Sequence, residues 1–298
     1  MAEALCVVRA GLHTTMQDEG RWGLQHLGVP VGGALDLPAL HRANAIVGNA
    51  PAEAALEITL VGGAYRAEGD LRVAVTGAAF AIDVDGHAVA MDTRLDLPHG
   101  SVLTFGERRH GARAYLSVRG GFDVPEVLGS RSAWPLLPRR GALPDGAYLP
   151  VATRVAAEAL PGPLPSPMPS ATLRVLPGPD VAQAPEAFDA LCAGTYRVSA
   201  SATRMACPLD GPPVAIVMPQ RPSWGTVTGA VQVMPSGAPM LLLAERQTTG
   251  GYPVVAVVIT ADLHHAAQRA PGDEVCFAPT TRAEAMRALL AMESGRRT

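Results

Sequence analysis

This chain predicts a mainly β fold with short helices, and three observations carry that expectation. Its 298 residues include 31 glycines and 27 prolines, which call for many turns and short elements. Aromatic residues are only 4% of a chain that is 48% hydrophobic, so the core must rest on Val, Leu, Ile and Ala. Short apolar runs bounded by turn residues recur along both halves. The length suggests about two domains. Leu160–Ala171, LPGPLPSPMPSA, places proline at every second position from 161 to 169 and reads as an extended spacer, so the expected division is 1–165 and 166–298.

In the first half, a strand is expected at Leu5–Val8. Asp36 is a good N-cap, Pro38 suits a first turn, and Leu37, Leu40, Ala43 and Val47 recur at helical spacing before Gly48-Asn49 ends the helix. A short helical turn at Pro51–Leu56 should lead into a strand at Glu57–Val61. Further strands are expected at Leu71–Val75, Phe80–Val84, Ser101–Phe105 and Arg113–Val118, with Asp85-Gly86 marking a hairpin. The second half should carry strands at Leu173–Leu176, Tyr196–Ser199, Val214–Met218, Ala230–Met234, Met240–Ala244, Val254–Thr260 and Glu274–Ala278. Thr281 with Glu284 forms a capping box for a last helix, expected to pack on the sheet.

Composition excludes several functions. A net charge of −3 and scattered arginines argue against a nucleic-acid surface. All 24 basic residues are arginine. Without lysine there is no Schiff base, no Walker A loop and no residue on which biotin could be carried covalently. The N-terminus lacks a signal-peptide pattern, the apolar stretches are too short to span a bilayer, and the four cysteines have no metal-like spacing. The chain therefore reads as a cytoplasmic protein with buried, reduced thiols, no metal site and no membrane partner.

Two polar, glycine-dense segments stand apart from this β pattern: Gly11–Asp36 and Glu245–Pro253, the latter reading ERQTTGGYP. Burying so many donors and acceptors is costly unless each finds a partner, so both are expected to form ordered loops that hold a ligand. In the first, Asp18 is placed to accept a proton and Arg21 to grip an anion with its planar fork. The structural alternative is that the two pair or cap a loop. In the second, Gln247, Thr248, Thr249, Gly250 and Gly251 offer side-chain and backbone donors suited to an anion-binding nest. Glu245 and Arg246 precede that loop, where a tight turn with a satisfied ion pair is the alternative. Gln232 is expected to line the same pocket. Asp36 reads as a helix cap, Asn44 and Asn49 as turn formers.

These segments, together with Val47-Gly48-Asn49, Ala55–Thr59, Gly120–Pro125, Val127–Ser132, Gly178-Pro179, Arg204-Met205 and Gly229–Val233, resemble the biotin-dependent carboxyltransferase-like family. That family takes in the allophanate hydrolase subunit 2 type, the Kip inhibitor antagonist and the C component of bacterial ATP-dependent 5-oxoprolinase. The resemblance implies two cyclophilin-like β-barrel subdomains. It implies a hydrolase component acting on a cyclic amide, in which 5-oxoproline is opened to glutamate with ATP used by the complex; whether nucleotide touches this chain stays open. Implied partners are a homologous, Kip inhibitor-like B-type subunit and an A-type lactam-utilisation subunit. Asp18, Glu245 and Arg246 would be catalytic. Gln17, Arg21, Gln232, Gln247, Thr248, Thr249, Gly250, Gly251 and Tyr252 would bind substrate, with the two segments lining a single polar cleft. A carboxyltransferase acting from carboxybiotin on a urea or amide, and a non-catalytic antagonist, are the alternatives. The chain departs from the family at Glu245, where Asp is usual, at Ala206-Cys207-Pro208 after Arg204-Met205, at Met234, and at 135–141.

Overall fold

The computed structural model describes residues 3–134, 136–137, 141–154, 166–216 and 222–294. Part of the 135–141 departure, residues 160–165 of the proline-rich spacer and residues 217–218 of the strand expected at Val214–Met218 lie outside the described residues. Among the described residues the fold is mostly strands with four short helices, in two compact units: Met1–Trp22 with Gly32–Met168, and Gly23–Val31 with Pro169–Thr298. A 3-10 turn at Gln25–Leu27 lies in the segment assigned to the second unit.

The first unit contains β1 (Ala4–Arg9), β2 (His13–Gln17), α1 (Leu37–Val47), β3 (Ala55–Thr59), β4 (Ala64–Glu68), β5 (Leu71–Val84), β6 (His87–Val89), β7 (Arg94–Leu97), β8 (Val102–Val118) and β9 (Tyr148–Pro150). They form one nine-stranded sheet in the order β2-β3-β8-β4-β1-β9, with β5 on β8 and β6 and β7 on β5. The four strands expected between 71 and 118 are two long ones, β5 and β8, whose pairing continues through bulges between Gly77 and Ile82. Such bulges bend a strand without ending it, which is how the sheet curls. The Asp85-Gly86 hairpin forms with both residues at positive φ, as a type I′ turn requires. Pro51–Leu56 is not helical: Ala55 and Leu56 already belong to β3, where Leu56 reaches a fully buried core position.

Period-two alternation sends Met16, Leu56, Ile58, Val73, Val75, Leu116 and Val118 to the main core of this unit. On the opposite face, Ala55 and Tyr115 pack against Ala39, Leu40 and Ala43 of α1. Asp36 caps α1, its Oδ1 accepting from Ala39 N at 2.9 Å. Glu57 is fully buried on that face and survives there because Leu35 N (2.9 Å) and the Tyr115 hydroxyl (2.7 Å) donate to it. Burial, then the nearby Glu57 and Asp36 charges, push the Tyr115 hydroxyl well above its ordinary pKa and keep it a donor. Asn44 lies within α1 rather than in a turn, its Nδ2 donating to Pro51 O and Glu53 O, and Asn49, just past the helix end, donates from Nδ2 to Val118 O.

The second unit contains β10 (Thr172–Pro177), α2 (Pro185–Ala193), β11 (Thr195–Val198), β12 (Ala206–Asp210), β13 (Trp224–Gly225), β14 (Ala230–Val233), β15 (Pro239–Leu242), β16 (Thr249–Gly250), β17 (Val254–Val258), α3 (Leu263–Ala267), β18 (Glu274–Pro279) and α4 (Arg282–Ser294). Seven strands close a barrel in the order β10-β17-β14-β15-β12-β11-β18, and β13 pairs with β16 apart from it. Neither β12 nor α2 was expected, and residues 214–216 are irregular. The capping box at Thr281 and Glu284 forms. The helix it starts, α4, has no buried residue, and Met286 and Leu290 are exposed, so it does not bury a face on the sheet as expected. Of the four cysteines, only Cys207 is buried. Among the described residues no helix is long and apolar enough to cross a membrane, and no cluster of His, Cys, Asp and Glu that could hold a metal ion is found.

Candidate functional site

Gln17, Asp18 and Arg21 belong to the first unit; Gln232 and residues 245–252 belong to the second. The first segment begins as strand rather than loop, since β2 pairs with β3 from His13↔Thr59 to Gln17↔Ala55. Threonines at 14 and 15 place polar residues on both faces and hide the alternation.

Asp18, just past β2, is enclosed by residues 130–132. Its Oδ1 accepts from Ser132 Oγ at 2.5 Å, Ser130 Oγ at 2.6 Å and Gly20 N at 2.8 Å, and its Oδ2 accepts from Arg131 N at 2.5 Å. Its own amide donates to Ser132 Oγ at 2.8 Å. Arg21 is buried, donating from Nε to Val127 O at 3.2 Å and from Nη2 to Ser132 O, with its guanidinium 5.9 Å from the Trp134 ring. Gly33 presses against the same turn at positive φ, and a Cβ there would lie 2.8 Å from Gly20 N. Asp18 and Arg21 thus fasten the 127–132 loop to the end of β2. Gln17 is fully buried beside them, donating to Thr15 Oγ1 at 3.0 Å.

The second segment walls a cavity of about 450 Å³, within the range of small-molecule sites. Its apolar floor follows from register. Gln232 pairs with Met240, and Leu242 with Ala206, so period two brings these four side chains to one face of β12, β14 and β15. All four line the cavity. The opposite wall is the loop around β13 and β16, where Thr226 N donates to Thr248 O at 2.9 Å and Thr226 Oγ1 to Gln247 O. Met205, Ser223, Arg246, Gln247, Thr249, Gly250, Gly251 and Tyr252 also line it, while Glu245 and Thr248 do not.

The two charged neighbours of this loop have opposite fates. Glu245 Oε1 accepts from Arg204 Nε at 2.7 Å, and both side chains are largely buried, at 11% and 7% exposure. Arg246 is 4% exposed and pairs with no carboxylate among the described residues. Its Nη1 donates to Thr228 Oγ1 at 2.9 Å and its Nη2 to Thr226 O at 3.1 Å, while Nε finds no acceptor. Burial alone lowers its pKa. Gln232 Nε2 is likewise buried without an acceptor. It packs against Gly250, where an added Cβ would come within 3.0 Å of that nitrogen. Thr226 and Thr228, which fix the guanidinium, were not foreseen; their signal is the polar alternation in Gly225–Gly229, GTVTG.

A curled sheet and a closed β-barrel, the latter carrying a polar pocket, match a known class. The carboxyltransferase domain, subdomain A and B, fits residues 27–279. The chain belongs to that family. Over 290 residues it is 37% identical to the C-type subunit of 5-oxoprolinase from Escherichia coli strain K12, covering 95% of this chain and 94% of that protein. The corresponding 5-oxoprolinase component of Haemophilus influenzae is 32% identical over 282 residues, covering 91% and 89%. Among solved structures, the Kluyveromyces lactis urea carboxylase matches with a TM-score of 0.90 at 25% identity, over 98% of this chain. The match takes up 29% of that longer chain.

Proposed function

We propose that this chain is the C component of a 5-oxoprolinase and, with partner subunits, opens the lactam of 5-oxoproline to glutamate at the expense of ATP. The observation that carries this reading is the 37% identity to the C-type component of a 5-oxoprolinase over nearly the whole of both chains. The pocket supports it independently. A small lactam acid suits its size, and its lining sets one guanidinium and several neutral polar groups beside an apolar floor.

Magnesium-bound ATP does not suit that lining, which among the described residues offers one arginine for a triphosphate and no carboxylate for the metal. The reading therefore assigns nucleotide to the partner subunits: a homologous B-type subunit and an A-type lactam-utilisation subunit. In this chain, Arg246, Gln232 and the Gln247–Tyr252 loop bind substrate. Glu245, paired with Arg204, holds the start of that loop, while Asp18 and Arg21 hold the 127–132 loop of the first unit.

The test combines this chain with its neighbouring subunits, 5-oxoproline and ATP, and measures glutamate. Production that depends on this chain is expected; none above a mixture lacking it would overturn the reading. The likeness to urea carboxylase favours a second reading, carboxyl transfer from carboxybiotin to a urea or amide. Labelled carboxyl appearing on urea would select it.

A further inference from the structure

We infer that the pocket of the second unit is a carboxylate seat in which the bound ligand, rather than any protein acid, is the counter-ion of Arg246. A buried guanidinium without a partner is costly, because charge removed from water must be paired or hydrogen-bonded. Other buried arginines here meet that need: Arg204 has Glu245 at 2.7 Å, Arg113 has Glu57 at 3.8 Å, and Arg21 gives both Nε and Nη2 to the carbonyls of Val127 and Ser132. Among the described residues, Arg246 is held in place by neutral acceptors only, at Thr226 and Thr228, with Nε unsatisfied.

Arginine has more N–H groups than those two bonds use, and the planar fork suits a carboxylate's paired oxygens. Gln232 Nε2, also buried without an acceptor and also in the lining, supplies a second donor. Its approach requires the bare backbone of Gly250. Among the described residues the lining carries no acid to repel an anion. Among the described residues, a single lining cation with neutral donors beside it fits a small monocarboxylate better than a dianion or a polyphosphate. The apolar side chains of Ala206, Met240 and Leu242 would cover the rest of the molecule.

The choice of probe rests on the 5-oxoprolinase reading; the seat itself rests on Arg246. The experiment titrates 5-oxoproline and, separately, 2-pyrrolidone (the same lactam without its carboxylate) into the full chain by calorimetry. The wild type should bind 5-oxoproline at least about tenfold more tightly than 2-pyrrolidone, and Arg246→Gln, shown folded by circular dichroism, should erase that preference. Equal affinity for the two lactams would overturn the inference without reference to any variant. So would a folded Arg246→Gln protein that keeps the preference, or a wild type that binds neither probe. Failure here is separable from failure of the functional reading. An assembled complex that makes glutamate with unchanged kcat and KM when carrying Arg246→Gln refutes the seat and leaves the 5-oxoprolinase standing. A complex that makes no glutamate while the chain still prefers the acid does the reverse.

Discussion

The two glycine-dense segments are nearly alike in composition, each holding glutamine, threonine, arginine and a carboxylate, yet they use these groups differently. In Gly11–Asp36 the acid and the arginine are both drawn into the chain: Asp18 accepts four hydrogen bonds, and Arg21 donates to backbone carbonyls at 127 and 132. In Glu245–Pro253 the acid is taken by Arg204, and the adjacent arginine has no acid among the described residues. Composition marks both as loops that need partners. What separates a structural loop from a binding one is whether the chain itself supplies them.

This contrast can be broken most severely at Asp18. Asp18→Ala leaves two serine hydroxyls and two amides without their acceptor, and buried unsatisfied groups cost about 1–3 kcal/mol each. A loss of about 4 kcal/mol in urea unfolding is expected; a near-neutral variant would mean that the 127–132 loop is not fastened there. Next comes Arg204→Gln, which strands the Glu245 carboxylate. About 3 kcal/mol should be lost, the lower end for a broken buried pair because neither side chain is wholly dry. The double variant with Glu245→Gln should recover much of it.

A smaller effect sets the scale within the first unit. Asp36→Ala removes the cap of α1 and should cost about 1 kcal/mol, with KM for 5-oxoproline unchanged in the assembled complex. A shifted KM would tie the first segment to the site after all. The smallest effect is pH-linked and lies in the second unit. Burial alone would raise the pKa of Asp262, but its hydrogen bonds to Arg174 and that residue's charge outweigh burial and hold it below the ordinary value. A lowered folded pKa contributes stability above the unfolded value, near about 3.9, that is lost as pH falls through the folded one. Asp262→Asn should therefore flatten the acid limb of the stability profile and leave the neutral region's slope alone. An unchanged acid limb would count against it.

Much of the fold was legible because period and punctuation coincide. Asp36, Pro38 and Gly48 bracket α1, and Asp85-Gly86 marks its hairpin, since both depend on neighbours close in sequence. Strand β2 was not legible: its threonines face a core on one side and a polar layer on the other, so no apolar alternation survives. The joining of four expected strands into β5 and β8 was hidden by Gly77 and the 106–111 stretch, which read as breaks but are parts of bent strands. Around the cavity, Gln232, Arg246 and the double glycine stand out by residue type alone. The partners that give them meaning, Arg204 for Glu245 and Thr226 and Thr228 for Arg246, lie 18 to 41 positions away and follow only from strand register.

The unfolding free energy of Arg246→Gln in the absence of ligand decides whether the pocket waits for its counter-ion. A guanidinium held ready for an external anion contributes little to the fold, so the variant should lie within about 1 kcal/mol of wild type or above it. A loss of about 3 kcal/mol or more, comparable to Arg204→Gln, would mean that Arg246 is already neutralised within the protein and that no seat for a carboxylate exists there.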